Sequence, residues 1–250
     1  MAKPAFEFMN TELIPWTPIV EGRSYEKILS KDPETGSYTR LLMSLPDLDA
    51  TIRDLENPPG KVLFHDDFHE EVFVLQGTLL DPKIKKTYKA GYYACRPPKI
   101  PHGPFFHPTG AISLEFGIHF NNNINMKKPA FEFMNTELIP WTPIVEGRSY
   151  EKILSKDPET GSYTRLLMSL PDLDATIRDL ENPPGKVLFH DDFHEEVFVL
   201  QGTLLDPKIN KTYKSGYYAC RPPKMPHGPF FHPTGAISLE VGMLNKILQK

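Results

Sequence analysis

The chain repeats itself. Lys3 to Phe116 aligns without a gap on Lys128 to Val241, an offset of 125 residues, and the stretches differ only at Lys85/Asn210, Ala90/Ser215, Ile100/Met225 and Phe116/Val241. Each copy is far longer than the short repeats that must stack to bury a core, and its length suits an independently folding domain. The expected organisation is a first domain at 1–121, a linker at 122–127 and a second domain at 128–250. The junction, HFNNNINMKKPAF, is a polar Asn run followed by Met126, placed before the second copy as Met1 is before the first. The two copies should therefore carry chemically equivalent sites and one shared activity.

Proline accounts for 26 of the 250 residues, about twice the usual ~5%. It is spread through each copy, which argues against long helices. Between the prolines lie short runs rich in β-formers and bounded by turn residues: SYTRLLMSL (37–45), KVLFH (61–65), EVFVLQG (71–77), KTYKAGYYACR (86–96) and AISLEFGI (111–118). Such runs predict an all-β sandwich or barrel. The opening stretch to about residue 30 is expected to add an edge strand or to wrap a neighbour.

A net charge of −4 and the lack of any Lys/Arg stripe give no support to nucleic-acid or anionic-membrane binding. No apolar run approaches a membrane span. Pro4, Glu7, Asn10 and Glu12 interrupt the N-terminus, leaving no apolar signal-peptide core, so a cytoplasmic protein is expected. Cys95 and Cys220 are the only cysteines and occupy equivalent positions, one per copy, where each reads as a buried strand thiol.

Histidine placement carries the chemistry. Eight of the nine, all but His119, fall in two short segments of each copy, GKVLFHDDFHEEVFVLQG and GYYACRPPKIPHGPFFHP in the first. His65 precedes Glu70 by five residues across a turn-like DDF, and His102 follows a Pro-rich turn. A metal centre needs imidazole nitrogens and a carboxylate oxygen to converge at roughly 2.0–2.2 Å from one point. Neighbouring strands of a small barrel offer that arrangement.

These segments resemble the two signature motifs of the cupin superfamily. Glu70 to Gly77 matches the second half of the first motif, His65 its second His, and Leu63 stands at the position of its first His. In the second motif Gly91, Pro97 and His102 match, with Lys99 where Gly is expected. HEEVFVLQGTL, YKAGYYACRPP and HGPF further resemble cupins related to the metal-binding domain of zinc anti-sigma factors and to acetylacetone-cleaving dioxygenases. The resemblance covers roughly residues 38–118 of each copy. It implies two cupin double-stranded β-helix (jelly-roll) barrels in tandem, each holding one divalent metal ion (Fe, Zn, Mn or Ni). The ligands it implies are His65, Glu70 and His102, and His190, Glu195 and His227, a set associated with non-haem Fe(II) oxygenases.

The activity expected on this footing is a metal-dependent oxygenase acting on a small chelating substrate of the diketone or enol type. The alternatives are a non-enzymatic metal-binding sensor or ligand-binding module, and a non-redox hydrolase, isomerase or lyase. The expected partners are a small-molecule substrate and, within the chain, the two cupins as a pseudo-dimer, with a further homo-oligomer as an option.

Other residues have plainer readings. Strand alternation should turn His69 and His194 away from Glu70 and Glu195, toward solvent or behind the ligands, although either His could serve as an additional ligand. Glu71 reads as a surface or interface carboxylate, Asp66 and Asp67 as turn residues, His107 as a rim residue and Lys99 as an exposed turn residue. Tyr92, Tyr93, Phe73, Phe105 and Arg40 could line a pocket, but strand aromatics are more often core.

Overall fold

The computed structural model describes residues 2–47, 65–119, 126–172 and 190–244. Residues 61–64 of the expected strand KVLFH, with Leu63, lie outside these, as do 122–125 of the expected linker. In chain order the first copy forms β1 (Phe6–Asn10), β2 (Thr17–Val20), β3 (Ser24–Lys31), β4 (Tyr38–Ser44), β5 (Phe68–Asp81), β6 (Lys86–Lys89), β7 (Tyr92–Arg96) and β8 (Ala111–His119). The second copy repeats the series as β9 (Phe131–Asn135), β10 (Thr142–Val145), β11 (Ser149–Lys156), β12 (Tyr163–Ser169), β13 (Phe193–Asp206), β14 (Lys211–Lys214), β15 (Tyr217–Arg221) and β16 (Ala236–Leu244). One turn of 3-10 helix follows each arm strand, at Thr11–Leu13 and Thr136–Leu138. No described helix is long and apolar enough to cross a membrane.

Two compact units result, one comprising Ile14–Leu138 and the other joining Lys3–Leu13 to Ile139–Lys250. The units and the sequence repeat thus divide the chain at different places. A split at 1–121 and 128–250 leaves each N-terminal arm with its own copy, whereas here each barrel carries the arm of the other copy. In the Ile14–Leu138 unit the sheet runs β2-β3-β4-β8-β5-β7-β9, with β6 on β5, and every pairing is antiparallel. The other unit repeats this order as β10-β11-β12-β16-β13-β15-β1, with β14 on β13. Apart from KVLFH, the expected β runs fall on these strands, with 86–96 divided into β6 and β7, and the opening stretch does supply an edge strand.

The core follows from strand periodicity. On one face of the Ile14–Leu138 sheet, Val72, Val74, Leu79, Tyr88, Ala94 and Ala111 cluster around Phe133 of the arm strand β9. Phe8 of β1 holds the same place among Val197, Val199, Leu204, Tyr213, Ala219 and Ala236. Removing a Phe side chain from water contributes on the order of 1.5–3 kcal/mol, so the arm is part of the core rather than an appendage. The long strand β5 pairs β8 and β7 through its first half, shifts register between Val74 and Gln76, then pairs β6 from Thr78 onward. Gly77 makes that bend possible. Its φ is 78°, and a Cβ there would lie 2.0 Å from the Gly110 carbonyl oxygen, which no side chain tolerates.

Candidate metal centre

Glu70 starts the chemistry because of its row in the sheet. It lies opposite Gly117 of β8 on one side and Arg96 of β7 on the other. Gly117 in turn faces Tyr38 of β4, whose ring would be 2.3 Å from any Cβ at 117, so glycine is what lets the aromatic ring lie across the strand beside Glu70. His65 lies just before β5, and its carbonyl accepts a 2.6 Å hydrogen bond from the Lys99 amide, which ties the first histidine segment to the turn leading into the second. Phe68 packs on the His65 ring at 3.9 Å between centroids.

His65, Glu70 and His102 meet here, each offering one donor atom within 4.8 Å of the others. His65 Nε2 is 3.5 Å from Glu70 Oε1, and His102 Nε2 is 3.6 Å from Glu70 Oε2. The His102 ring is oriented by its other nitrogen, with Nδ1 3.2 Å from the Ile100 carbonyl oxygen. A carbonyl only accepts, so Nδ1 carries the proton and Nε2 presents a lone pair to the cluster. His190, Glu195 and His227 form the same group in the second copy, at 3.5 and 3.7 Å.

The residues fit a metal ion. His65 Nε2 and His227 Nε2 are buried and make no hydrogen bond. Such orphaned imidazole nitrogens, converging with a carboxylate in a buried site, form the donor set that a divalent cation satisfies. Protonation favours the same reading. Burial and the Arg96 charge lower the His102 pKa, and His227 is pushed down to about 4 by burial and Arg221. Burial works to raise Glu70, but the His65 imidazole and the Arg96 guanidinium outweigh it and hold the carboxyl at about 2. Those shifts favour neutral imidazoles at His102 and His227 and an ionised Glu70, the forms in which such groups ligate, while the hydrogen bond from His190 to Glu195 raises the His190 pKa.

His69 and Glu71 point the other way, as alternation requires, but neither is at the surface. Both side chains are fully buried. Glu71 takes a 2.6 Å ion pair from Lys128 of the arm and a 2.5 Å hydrogen bond from the Tyr93 hydroxyl, and His69 Nε2 lies 3.3 Å from Cys95 Sγ. Of the alternatives expected, His69 lies away from solvent and Glu71 is an interface carboxylate rather than a surface one, because the arm caps this face. The group His69, Glu71, Cys95 also has metal-like spacing. Its carboxylate is already spent on an ammonium and a phenol, so it reads as a structural ion pair. Lys3, Glu196 and Tyr218 repeat it in the other unit.

The remaining expectations place simply. Asp66 and Asp67 are exposed in a bend, Cys95 and Cys220 are buried strand thiols, and His107 lies in a loop against Asp47. Arg96 is the residue that sequence reading missed. Its Nη1 donates to Glu70 Oε2 at 2.6 Å while its side chain is 4% exposed. The available signal was its cross-strand position opposite Glu70, which needs the register of β5 and β7. Glu115 was missed as well. It is buried on β8, accepts from Arg40 Nε at 2.9 Å and from Ser113 Oγ at 3.0 Å, and burial raises its pKa despite Arg40.

Comparison with solved structures agrees with this architecture. A candidate dioxygenase from Nostoc punctiforme superposes with a TM-score of 0.65 at 15% identity, over 98% of this chain and 84% of its own. Oxalate decarboxylase from Bacillus subtilis, as a point variant, gives 0.55 at 12% identity, over 95% and 77%. The chain has the tandem cupin fold. The E. coli protein Ylba matches this cupin pair at 0.60 and 12% identity, over 94% of this chain and 90% of its own. No family model and no curated protein matches by sequence. At such identities the likeness speaks to fold, and the chemistry rests on the two His/Glu/His groups.

Proposed function

We propose that this tandem cupin is a metal-dependent enzyme with two equivalent centres, His65/Glu70/His102 and His190/Glu195/His227, acting on a small chelating substrate of the diketone or enol type as an oxygenase. The observation that carries the reading is the buried Nε2 of His65, unbonded, aimed at Glu70 beside a second imidazole whose tautomer leaves its own Nε2 free to ligate. Dioxygenase and decarboxylase neighbours lend it support at the level of fold. A bound divalent cation would supply Lewis acidity toward an enol oxygen and, if redox-active, a means of handling dioxygen.

The chain's own residues do the rest. The Ile100 carbonyl holds His102 in one tautomer, and Arg96 holds Glu70 ionised and oriented. Tyr38 and Phe68 pack edge to face, with ring centroids 6.2 Å apart, and Phe68 stacks on the His65 ring, which fixes the position of that imidazole. Glu115 Oε1 is a candidate holder of a proton inside the barrel, since burial favours its neutral form.

The test is elemental analysis of protein purified without added metal, beside a variant carrying His65→Ala, His102→Ala, His190→Ala and His227→Ala. About two equivalents of iron, manganese or nickel per chain, lost in the variant, is the expected result, followed by oxygen consumption with chelating enols. Two equivalents of zinc would move the reading to non-redox chemistry or sensing. No metal in the parent would overturn the site.

A further inference from the structure

Arg96 divides its guanidinium between two carboxylates that come from different copies of the sequence. Nη1 gives a single bond to Glu70 Oε2 at 2.6 Å, whereas Nη2 and Nε both go to Glu132, at 2.5 Å to Oε1 and 3.2 Å to Oε2. Glu132 lies in β9, the arm of the second copy. The neighbouring arm residue Phe133 lies under the guanidinium at 5.1 Å. The other unit repeats the arrangement with the roles reversed. Arg221 bonds Glu195 at 2.6 Å and Glu7 at 2.5 and 3.2 Å, over Phe8 at 5.1 Å.

We propose that Glu132 and Glu7 are positioning residues for the metal centres, each acting in trans: the arm of one sequence copy sets the donor strength of the glutamate ligand in the other. The reason lies in the shape of the fork. Arginine pairs most favourably when two of its N–H groups meet both oxygens of one carboxylate. Glu132 occupies that bidentate edge, so Glu70 receives one N–H on Oε2 and keeps Oε1 turned toward His65. Without Glu132, the bidentate edge is free to turn onto Glu70 and engage both of its oxygens, leaving less electron density for a metal. The inference rests on the metal-centre reading proposed above and adds that neither centre is complete within one copy.

Two one-site chains test it with Co2+ as the probe. In a chain whose first-copy centre is disabled by His65→Ala and His102→Ala, Glu7→Gln is expected to weaken cobalt binding tenfold or more relative to Glu132→Gln. In the reciprocal chain, with His190→Ala and His227→Ala, the order reverses. The cobalt absorption bands should shift in the affected variant while melting of its metal-free form stays within a few degrees, which separates positioning from loss of structure. Equal losses from the two substitutions, or none, would overturn the proposal. One-site chains that bind no cobalt would overturn the metal-centre reading itself.

The exchange of arms has its own readout, independent of metal. Phe6 lies opposite Cys220 in the register of β1 and β15. In Phe6→Cys, mild oxidation should link residue 6 to the tryptic peptide SGYYACRPPK that contains Cys220. A link to AGYYACRPPK, which contains Cys95, would place the arm on its own copy and overturn action in trans. The Ala90/Ser215 difference makes the two peptides distinguishable by mass.

Discussion

Lys99 has a φ of 69° and Lys224 one of 67°, in the left-handed region where a Cβ is crowded. The motif that these segments resemble has glycine at this point, and the backbone shows why: the turn that delivers the Lys99 amide to the His65 carbonyl needs that conformation. An L-residue there costs about 1–2 kcal/mol, partly offset by the entropy that glycine would lose on folding. Lys99→Gly and Lys224→Gly should each stabilise the chain by about 0.5 kcal/mol, read from the urea midpoint at constant m-value. Position 85/210 shows the same constraint between the copies. Lys85 and Asn210 both have positive φ, at 54° and 48°, and Asn carries that conformation with less strain. At Arg96 the issue is charge rather than conformation. In metal-free protein Arg96→Met takes the guanidinium counter-charge from buried Glu70, and unfolding free energy should fall by about 3–5 kcal/mol.

The arm strand is the element that closes each unit. Its lysine meets a glutamate that burial alone would push toward the neutral form, yet the Lys128 ammonium, with His69, lowers Glu71 well below its ordinary value of 4.5. The folded chain therefore resists protonation more strongly than the unfolded one. This contribution is fully present above about pH 4.5 and is lost as the pH falls further. Melting temperatures measured from pH 6 down to 3 should drop below that point, and less steeply when Glu71→Gln and Glu196→Gln remove the titrating groups. Phe8→Ala should cost about 3–5 kcal/mol in the unit that joins β1 to the second copy. Hydrogen exchange can assign the loss, because peptides spanning Asn210 and Ser215 differ in mass from those spanning Lys85 and Ala90. Increased exchange confined to the 210–215 peptides is the expected pattern.

At the scale of the whole chain, duplication makes the two centres a controlled pair. Disabling either one, by His65→Ala with His102→Ala or by the equivalent pair in the second copy, should leave half of the bound metal and half of the turnover. A loss well beyond half from either would show that the centres depend on each other. Much of this was legible beforehand. The repeat and most of the short β runs are written locally, because hydrophobic alternation and turn residues report which face of a strand is buried over a few neighbours, whereas the grouping of His65, Glu70 and His102 was implied by the resemblance to cupin motifs. What could not be read is what meets those faces. Glu71 reads as a surface or interface carboxylate with no named partner until a lysine 57 residues away pairs with it, and Arg96 looks incidental until register places it opposite Glu70. The arms make the limit plain. FEFMN occurs at Phe6–Asn10 and again at Phe131–Asn135, and the strands they join, YYACR in both copies, are also identical. With the same side chains on every surface, no local preference distinguishes an arm on its own barrel from an arm on the other. The sequence by itself determined that each barrel has an arm and a His/Glu/His set. Only the tertiary path of the chain, through the connections it can span, decided which arm completes which centre.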